Sequence, residues 1–156
     1  MLQQIISGGQ TGADFGGIAA ATVFGISTGG YAPRGWKTED GNNKQLEAMG
    51  LKQTASDHYK IRTGLNAFHS DATIIFATNP RSGGTRLTVK FCKKFDKPYV
   101  ITNPFNQAQS VNDCVTFISL RDYISILNVA GNRESKSPGI EDATLRVLSE
   151  TFENLL

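Results

Sequence analysis

The chain has 156 residues, about the size of one ordinary domain, which leaves little room for separate cofactor and substrate domains. Hydrophobic residues make up 39% and charged residues 19% of the sequence, which is typical of a globular protein and excludes a disordered or collagen-like chain. The net charge of +2 does not favour nucleic acid or an anionic membrane as a partner. We therefore expect a single domain over residues 1–156.

The cysteines and the N-terminus indicate the cellular compartment of the protein. Two cysteines, Cys92 and Cys114, are too few for a disulfide scaffold or a four-thiolate zinc site, and they fit a reducing compartment. The N-terminal residues carry no Lys or Arg before a short apolar stretch, and no apolar run approaches the roughly 20 residues that span a bilayer. We expect a cytoplasmic protein without a membrane anchor.

Strand and helix signals alternate along the chain. Short apolar runs rich in β-branched residues predict four buried strands, at residues 4–7, 72–77, 98–102 and 124–130. Helical patterns predict five helices, at residues 13–24, 64–70, 85–95, 107–120 and 140–155. Residues 29–43, rich in Gly and charge, are predicted to be a loop. The alternation predicts an α/β fold, a single-domain Rossmann-like three-layer sandwich with a mainly parallel sheet.

The first candidate binding segment is SGGQTGAD, residues 7–14, which links the first predicted strand to a helix. Glycines let backbone N–H groups approach an anion, and the start of the helix adds partial positive charge. The segment is neither G-x-G-x-x-G nor a P-loop, and a plain tight turn is the alternative. The candidate ligand-binding residues here are Gly8, Gly9, Gln10, Thr11, Gly12 and Asp14.

Two further polar loops follow predicted strands. Residues 78–85, TNPRSGGT, precede an amphipathic helix that Ser82 or Thr85 can cap, and residues 131–135 carry Arg133 beside Glu134. The carboxyl ends of parallel strands line a ligand crevice, so we expect all three loops at one edge of the sheet. A capped turn and a solvated ion pair are the alternatives. The candidate residues are Asn79, Ser82, Gly83, Gly84, Thr85 and Arg133.

The glycine-rich segment at residues 29–41 is predicted to be a mobile flap over the site. Trp36, the only tryptophan, would stack on a planar ring, Arg34 would meet an anion, and Asp40 would add a carboxylate. The alternative is an exposed polar loop with Trp36 packed against the body of the domain. Arg62 and Thr63, near a helix start, are weaker candidates of the same kind.

Motifs for catalysis and metal binding are not found in the sequence. His58 and His69 lack a ligand-like spacing, and there is no H-E-x-x-H or G-x-S-x-G. We therefore predict no catalytic residue and no metal site, and lean towards a protein that is not an enzyme. Four carboxylates could act on protons or magnesium, and the sequence leaves open which of them converge: Asp14, Glu39, Asp40 and Asp71.

Taken together, the motifs resemble those of the molybdenum carrier family. They are SGGQTGAD at 7–14, YAPR at 31–34, EDG at 39–41, RT at 62–63, SD at 70–71, GGT at 83–85 and LNVAG at 127–131. That family is similar to molybdenum-cofactor carrier proteins and is a circularly permuted relative of LOG-like Rossmann folds. The resemblance implies a cytoplasmic homo-oligomer, a dimer or tetramer. Its ligand would be the molybdenum cofactor, a phosphorylated pterin carrying molybdenum, or a related oxyanion or nucleotide.

A LOG-like nucleotide phosphoribohydrolase is the alternative function. Its motif P-G-G-x-G-T-x-x-E provides a catalytic Glu, whereas RSGGTRLT at residues 81–88 is two residues shorter before Thr85 and has Thr88 at the Glu position. Cleavage of an N-glycosidic bond needs a carboxylate, so binding without turnover is favoured. Binding of single-stranded nucleic acid needs a basic groove with stacking aromatics, which a net charge of +2 and one tryptophan do not favour.

Overall fold

Strands and helices alternate along most of the chain in a computed structural model that describes residues 1–156. The strands are β1 (Gln4–Ile6), β2 (Ser27–Ala32), β3 (Lys37–Thr38), β4 (Gly41–Asn42), β5 (Leu51–Gln53), β6 (Ala72–Phe76), β7 (Tyr99–Thr102) and β8 (Ile126–Gly131). The helices are α1 (Ala13–Val23), α2 (Gln45–Ala48), α3 (Tyr59–His69), α4 (Gly83–Lys94), α5 (Gln107–Ser119) and α6 (Ile140–Leu155). None of these helices is long and apolar enough to cross a membrane.

Six strands form one parallel sheet in the order β5, β2, β1, β8, β6, β7. The two short strands β3 and β4 pair with each other in a separate antiparallel hairpin. Because all six strands run in one direction, the loops after β1, β6 and β8 leave the sheet at the same edge, its carboxyl edge. The predicted α/β class and mainly parallel sheet are confirmed.

Helices cover the sheet in two groups. Helices α1, α5 and α6 pack together, and α3 packs with α4. Side chains alternate between the two faces of a strand. Leu127 and Val129 of β8 lie in the main hydrophobic core with residues of α1, α5 and α6. Asn128, between them, therefore points to the other face, where α3 and α4 contact β8.

The segment predicted as a loop, residues 29–43, contains regular structure. It includes the last four residues of β2 and the β3–β4 hairpin. The sequence signal was hidden by glycines, which ordinarily weaken a strand. Gly30 has a φ of +121°, and a Cβ at this position would lie 2.2 Å from the carbonyl oxygen of Ser7. Glycine here permits close approach of neighbouring backbone and is not a hinge.

Two other predictions of elements need correction. Strand β5 was not predicted, because its sequence, LKQ, contains a single apolar residue and so forms no apolar run. Helix α3 begins at Tyr59, five residues before its predicted start at Gly64. Gly64 lies inside the helix, where an added Cβ would be 3.1 Å from the ring of Phe91 on α4. The glycine marks close packing of two helices and not the beginning of one.

The close approach of β8 to β6 gives a test of the sheet. A Cβ on Gly131 would lie 1.9 Å from the carbonyl oxygen of Phe76, its register partner. We expect Gly131→Ala to lower the free energy of unfolding by about 3 kcal/mol or more, measured by urea denaturation. Gly83→Ala, with nothing within 4 Å of the added Cβ, should leave stability unchanged or raise it by about 0.5–1 kcal/mol. Equal stability of Gly131→Ala and the parent would contradict this packing.

Candidate functional site

A cavity of about 500 Å³ opens at the carboxyl edge of the sheet, between the loops after β1, β6 and β8 and helices α3 and α4. We call it the main cavity. Its volume lies within the usual range of small-molecule sites. The structure brings ten of the predicted binding residues to its wall: Gly8, Gln10, Asp14, Arg62, Thr63, Asn79, Ser82, Gly83, Gly84 and Arg133.

Other predicted residues lie outside the main cavity. Gly9, Thr11 and Asp40 line a second cavity of about 500 Å³, formed with the β3–β4 hairpin and the start of α2. Gly12 and Thr85 are buried and line neither cavity. The first glycine loop therefore separates two cavities, with alternate residues facing each of them.

Trp36 and Arg34 line neither cavity. The Trp36 side chain is 7% exposed and packs in a small apolar cluster with Ile18, Leu46 and Leu51. Arg34 is exposed to solvent. The structure thus differs from the predicted flap and corresponds to the alternative in which the tryptophan packs against the body of the domain. The physical reason is that burying the large indole against aliphatic side chains stabilises the fold.

Three cations surround one aromatic ring at the main cavity. The ring centroid of Tyr59 lies 5.0 Å from Lys37 Nζ, 5.1 Å from Arg62 Cζ and 5.3 Å from Arg133 Cζ. Lys136 also lines the cavity. Such contacts with the face of a ring stabilise cations, but they do not neutralise their charge. Positive charge is therefore concentrated at this cavity although the net charge of the chain is small.

Asp14 and Arg62 form a buried ion pair beside the first glycine loop. Arg62 Nη1 lies 3.4 Å from Asp14 Oδ2 and donates to the carbonyl oxygen of Gly8 at 2.6 Å. Burial raises the pKa of Asp14 above its ordinary value, against the opposing effects of the Arg62 charge and the Gln10 amide. Burial likewise lowers the pKa of Arg62. The pair joins α3 to the start of α1 at the wall of the main cavity.

The amides of the first glycine loop already have partners within the chain. Gly9 N donates to Ser7 Oγ at 3.2 Å, Gln10 N to Asp14 Oδ2 at 3.1 Å, and Thr11 N to the side-chain oxygen of Gln10 at 3.1 Å. The next helical amide, Ala13 N, donates to the carbonyl oxygen of Asn132 at 3.1 Å. These internal hydrogen bonds compete with the anion-binding role that the sequence suggested for this loop.

The second glycine loop offers donors that the chain does not use. Neither Gly83 N nor Gly84 N donates a hydrogen bond within the chain, and no atom lies within 4 Å of a Cβ built on either residue. Ser82 caps α4 by accepting from Thr85 N at 3.4 Å. The start of α4 therefore presents open backbone N–H groups to the main cavity, in the arrangement that favours an anion.

Asparagine residues form part of the main cavity that sequence reasoning missed. Asn66, Asn128 and Asn132 line it together with Tyr59 and Lys136. One signal was available in the sequence, because an asparagine lies inside the buried strand and another directly follows it in LNVAGN at residues 127–132. Buried amides of this kind need hydrogen-bond partners, so their presence in an apolar run points to a polar network or a ligand.

Glu39 ties the β3–β4 hairpin to two loops of the site. Its carboxylate accepts hydrogen bonds from the hydroxyls of Thr11 and Ser135 and from Ser135 N at 3.0 Å, and lies 3.9 Å from Arg133 Nε. Partial burial alone would raise the pKa of Glu39. The hydrogen bonds from Ser135 and Thr11 and the charge of Arg133 outweigh burial and lower the pKa below its ordinary value.

The four carboxylates whose convergence the sequence left open do not form one cluster. Asp71 accepts from Ser125 N at 2.9 Å and from Ile126 N at 2.8 Å, at the beginning of β8 and so at the opposite edge of the sheet. Asp40 lines the second cavity. The Asp14 carboxylate accepts from Gln10 N, and the Glu39 carboxylate accepts from the hydroxyl of the next residue, Thr11. No group of three or more His, Cys, Asp or Glu side chains is arranged to hold a metal ion.

The parallel sheet and the cavity at its carboxyl edge define a Rossmann-like α/β protein with a small-molecule-sized site. A family model described as the circularly permutated YpsA SLOG family matches residues 5–152. The chain belongs to that family.

One solved structure supports the resemblance found in the sequence. It is the crystal structure of a protein from Syntrophus aciditrophicus SB named putative molybdenum carrier protein, which is 33% identical in sequence. The two structures superpose with a TM-score of 0.86, over 96% of this chain and 94% of that one. Among curated proteins, none matches the chain. The predicted relation to molybdenum carrier proteins and to a circularly permuted fold is confirmed.

The buried Asp14–Arg62 pair predicts a specific pattern of stability. Arg62→Met leaves the Asp14 carboxylate buried without its cation and should lower the free energy of unfolding by about 3–5 kcal/mol at pH 7. The double variant Asp14→Asn/Arg62→Met removes both charges and should recover part of that loss in urea denaturation. Arg146→Met, which breaks an exposed pair with Asp142, should cost less than about 1 kcal/mol. Equal losses in Arg62→Met and Arg146→Met would contradict a buried pair.

The lowered pKa of Glu39 predicts a pH-dependent contribution to stability. The contribution is fully present above the ordinary pKa of 4.5 and is lost as the pH falls through the lower value in the folded protein. Glu39→Gln should therefore be less stable than the parent by about 1 kcal/mol at pH 7, and the difference should shrink below pH 4.5. Chemical denaturation across pH 3–7 measures both. The exposed Glu153→Gln serves as control, and a difference independent of pH would rule out this role.

Proposed function

We propose that the chain is a binding protein that carries the molybdenum cofactor, or a related phosphorylated or oxyanion ligand, in the main cavity. The observation that supports this most strongly is the start of α4, where the unused amides of Gly83 and Gly84 border a cavity rich in cations. Backbone N–H groups at a helix start and nearby arginines are the groups that bind phosphate in proteins.

The balance of charge supports an anionic ligand. Four cations lie at the cavity or around Tyr59 beside it: Lys37, Arg62, Arg133 and Lys136. Two carboxylates partly compensate them, Asp14 at Arg62 and Glu39 at Arg133. Because the compensation is incomplete, an anion entering the cavity would gain favourable interactions with side chains that are already in place.

The comparison with a solved structure supports the same class of ligand. The protein from Syntrophus aciditrophicus SB is named as a molybdenum carrier, and it matches this chain over nearly its whole length. A phosphorylated pterin fits the size class of the cavity and the anion-binding groups at its rim. Cytoplasmic location and assembly into a dimer or tetramer are further parts of this proposal. They rest on the resemblance of the sequence motifs to those of the molybdenum carrier family.

A LOG-like phosphoribohydrolase is the second candidate, since Asp14 places a carboxylate at the main cavity. At the position of the expected catalytic Glu, the Thr88 hydroxyl donates to the carbonyl oxygen of Gly84 at 3.1 Å and holds no charge. Asp14 is engaged by Arg62, which argues against a free carboxylate at the reacting bond. Rapid release of base from nucleoside monophosphates, lost in Asp14→Asn, would favour the hydrolase.

Two measurements test the binding proposal. Native mass spectrometry and metal analysis of protein purified without added ligand should detect bound molybdenum or a phosphorylated compound. Calorimetry should show binding of inorganic phosphate, molybdate or a pterin monophosphate. Arg133→Gln should weaken the binding that is observed by about tenfold or more, the usual effect of losing a hydrogen bond to a charged group. Arg146→Gln removes the same charge from the exposed face of α6 and should leave the affinity unchanged.

A second variant tests the position of the anion. Gly84→Val adds a side chain where nothing lies within 4 Å, so the domain should fold while the backbone amides become covered. We expect this variant to lose phosphate binding and to retain its unfolding transition. The proposed function would be overturned if Gly84→Val and Arg133→Gln both bind phosphate as tightly as the parent. It would also be overturned if the parent binds none of the probes and is purified without a ligand.

A further inference from the structure

Asn128 is a polar residue where a parallel sheet ordinarily carries an apolar one. It lies on the central strand β8, between β1 and β6, and is 2% exposed. Its Nδ2 donates to Thr73 Oγ1 at 3.2 Å, whereas its Oδ1 accepts no hydrogen bond within the chain. Asn128 lines the main cavity. The fold therefore keeps an acceptor without a partner in the chain at the base of the cavity, at a position where a parallel strand ordinarily carries an aliphatic side chain.

Gln10 presents the complementary group, an unpartnered donor. Its side-chain oxygen accepts from Thr11 N at 3.1 Å and from Glu39 N at 2.9 Å. These two donors determine the orientation of the amide, because a turned amide would place its NH₂ group against both of them. The Nε2 atom is buried without a partner in a side chain that is 5% exposed and lines the main cavity.

The depth of Asn128 limits what can reach it. Asn128 lies three residues before Gly131, so at about 3.3 Å per residue it is roughly 10 Å further from the carboxyl edge. A single tetrahedral oxyanion held at Gly83 and Gly84 does not extend over that length. Ala130 shares the face of β8 with Asn128 and, with Leu87 of α4, gives this part of the cavity apolar walls.

We propose that Asn128 and Gln10 are specificity-determining residues that bind the uncharged part of the ligand, which is a phosphorylated nitrogen heterocycle and not a bare oxyanion. A ring N–H donates to Asn128 Oδ1, and a carbonyl oxygen or ring nitrogen accepts from Gln10 Nε2. Leu87 and Ala130 contact the apolar face of the ring. This inference rests on the proposed function, because it names the ligand class of the same cavity. Pterins and purine nucleotides share this chemistry.

Calorimetry with four probes tests the inference: a pterin monophosphate, guanosine 5′-monophosphate, ribose 5-phosphate and inorganic phosphate. We expect at least one heterocyclic probe to bind about tenfold or more tightly than ribose 5-phosphate, the scale of one well-made hydrogen bond with ring burial. The two heterocycles distinguish a pterin from a nucleotide. Asn128→Leu, which removes both polar groups, should abolish this preference and leave the affinity for inorganic phosphate unchanged. Asn154→Leu, on the exposed end of α6, is the matched control.

Two additional variants keep the test decisive if Asn128→Leu fails to fold. Ala130→Val narrows the apolar part of the cavity with a residue that strands favour, and Gln10→Glu replaces the free donor by an acceptor. Both should remove the preference for the heterocycle. Phosphate binding with no preference for a heterocycle in the parent would overturn this inference and leave the proposed function intact. Equal weakening of heterocycle and phosphate binding in Asn128→Leu would overturn the assignment of Asn128 as a specificity residue.

Discussion

Asn132 joins the three loops that form the site. Its backbone N–H donates to the carbonyl oxygen of Phe76 at 3.0 Å, and its carbonyl oxygen accepts from Ala13 N at 3.1 Å. In its side chain, Oδ1 accepts from Thr78 N at 2.9 Å and Nδ2 donates to Ser82 Oγ at 3.1 Å. One buried residue thereby connects the end of β8 to the start of α1 and to the cap of α4. Leaving a buried amide without hydrogen bonds is costly. The relative position of the three loops is therefore fixed by the hydrogen bonds that the side chain and backbone of Asn132 make.

Two glycine loops at the same edge of the sheet have different roles for a reason visible in their hydrogen bonds. The first loop is followed by Asp14 and contains Gln10, whose side chains accept from the loop's own amides. The second loop has the neutral Ser82 as its only side-chain cap and leaves two glycine amides open. A carboxylate near a helix start satisfies the donors that an external anion would otherwise meet. The first loop therefore shapes the cavity, and the second is the better anion site.

Periodicity and composition alone determined the main architecture. Strands β1, β6, β7 and β8 and helices α1, α4, α5 and α6 were predicted close to their observed positions, since each is long or strongly apolar. Alternation of these elements implies a parallel sheet, and a parallel sheet brings its following loops to one edge. That rule, applied to the sequence, was enough to place eight of the predicted binding residues, those of the three segments that follow strands, around one cavity.

Only the tertiary structure decided which groups at that edge are free. Hydrogen bonds between residues far apart in sequence use the amide of Ala13 and hold Glu39, while burial against Leu46 and Leu51 removes Trp36 from the site. The glycines of β2 gave a loop signal because their role is contact with neighbouring backbone, which no local pattern records. The sequence by itself determined the order of elements and the edge that carries the site, because those depend on local periodicity. Charge pairing, unused donors and cavity walls depend on long-range contacts, and so only the folded chain decided them.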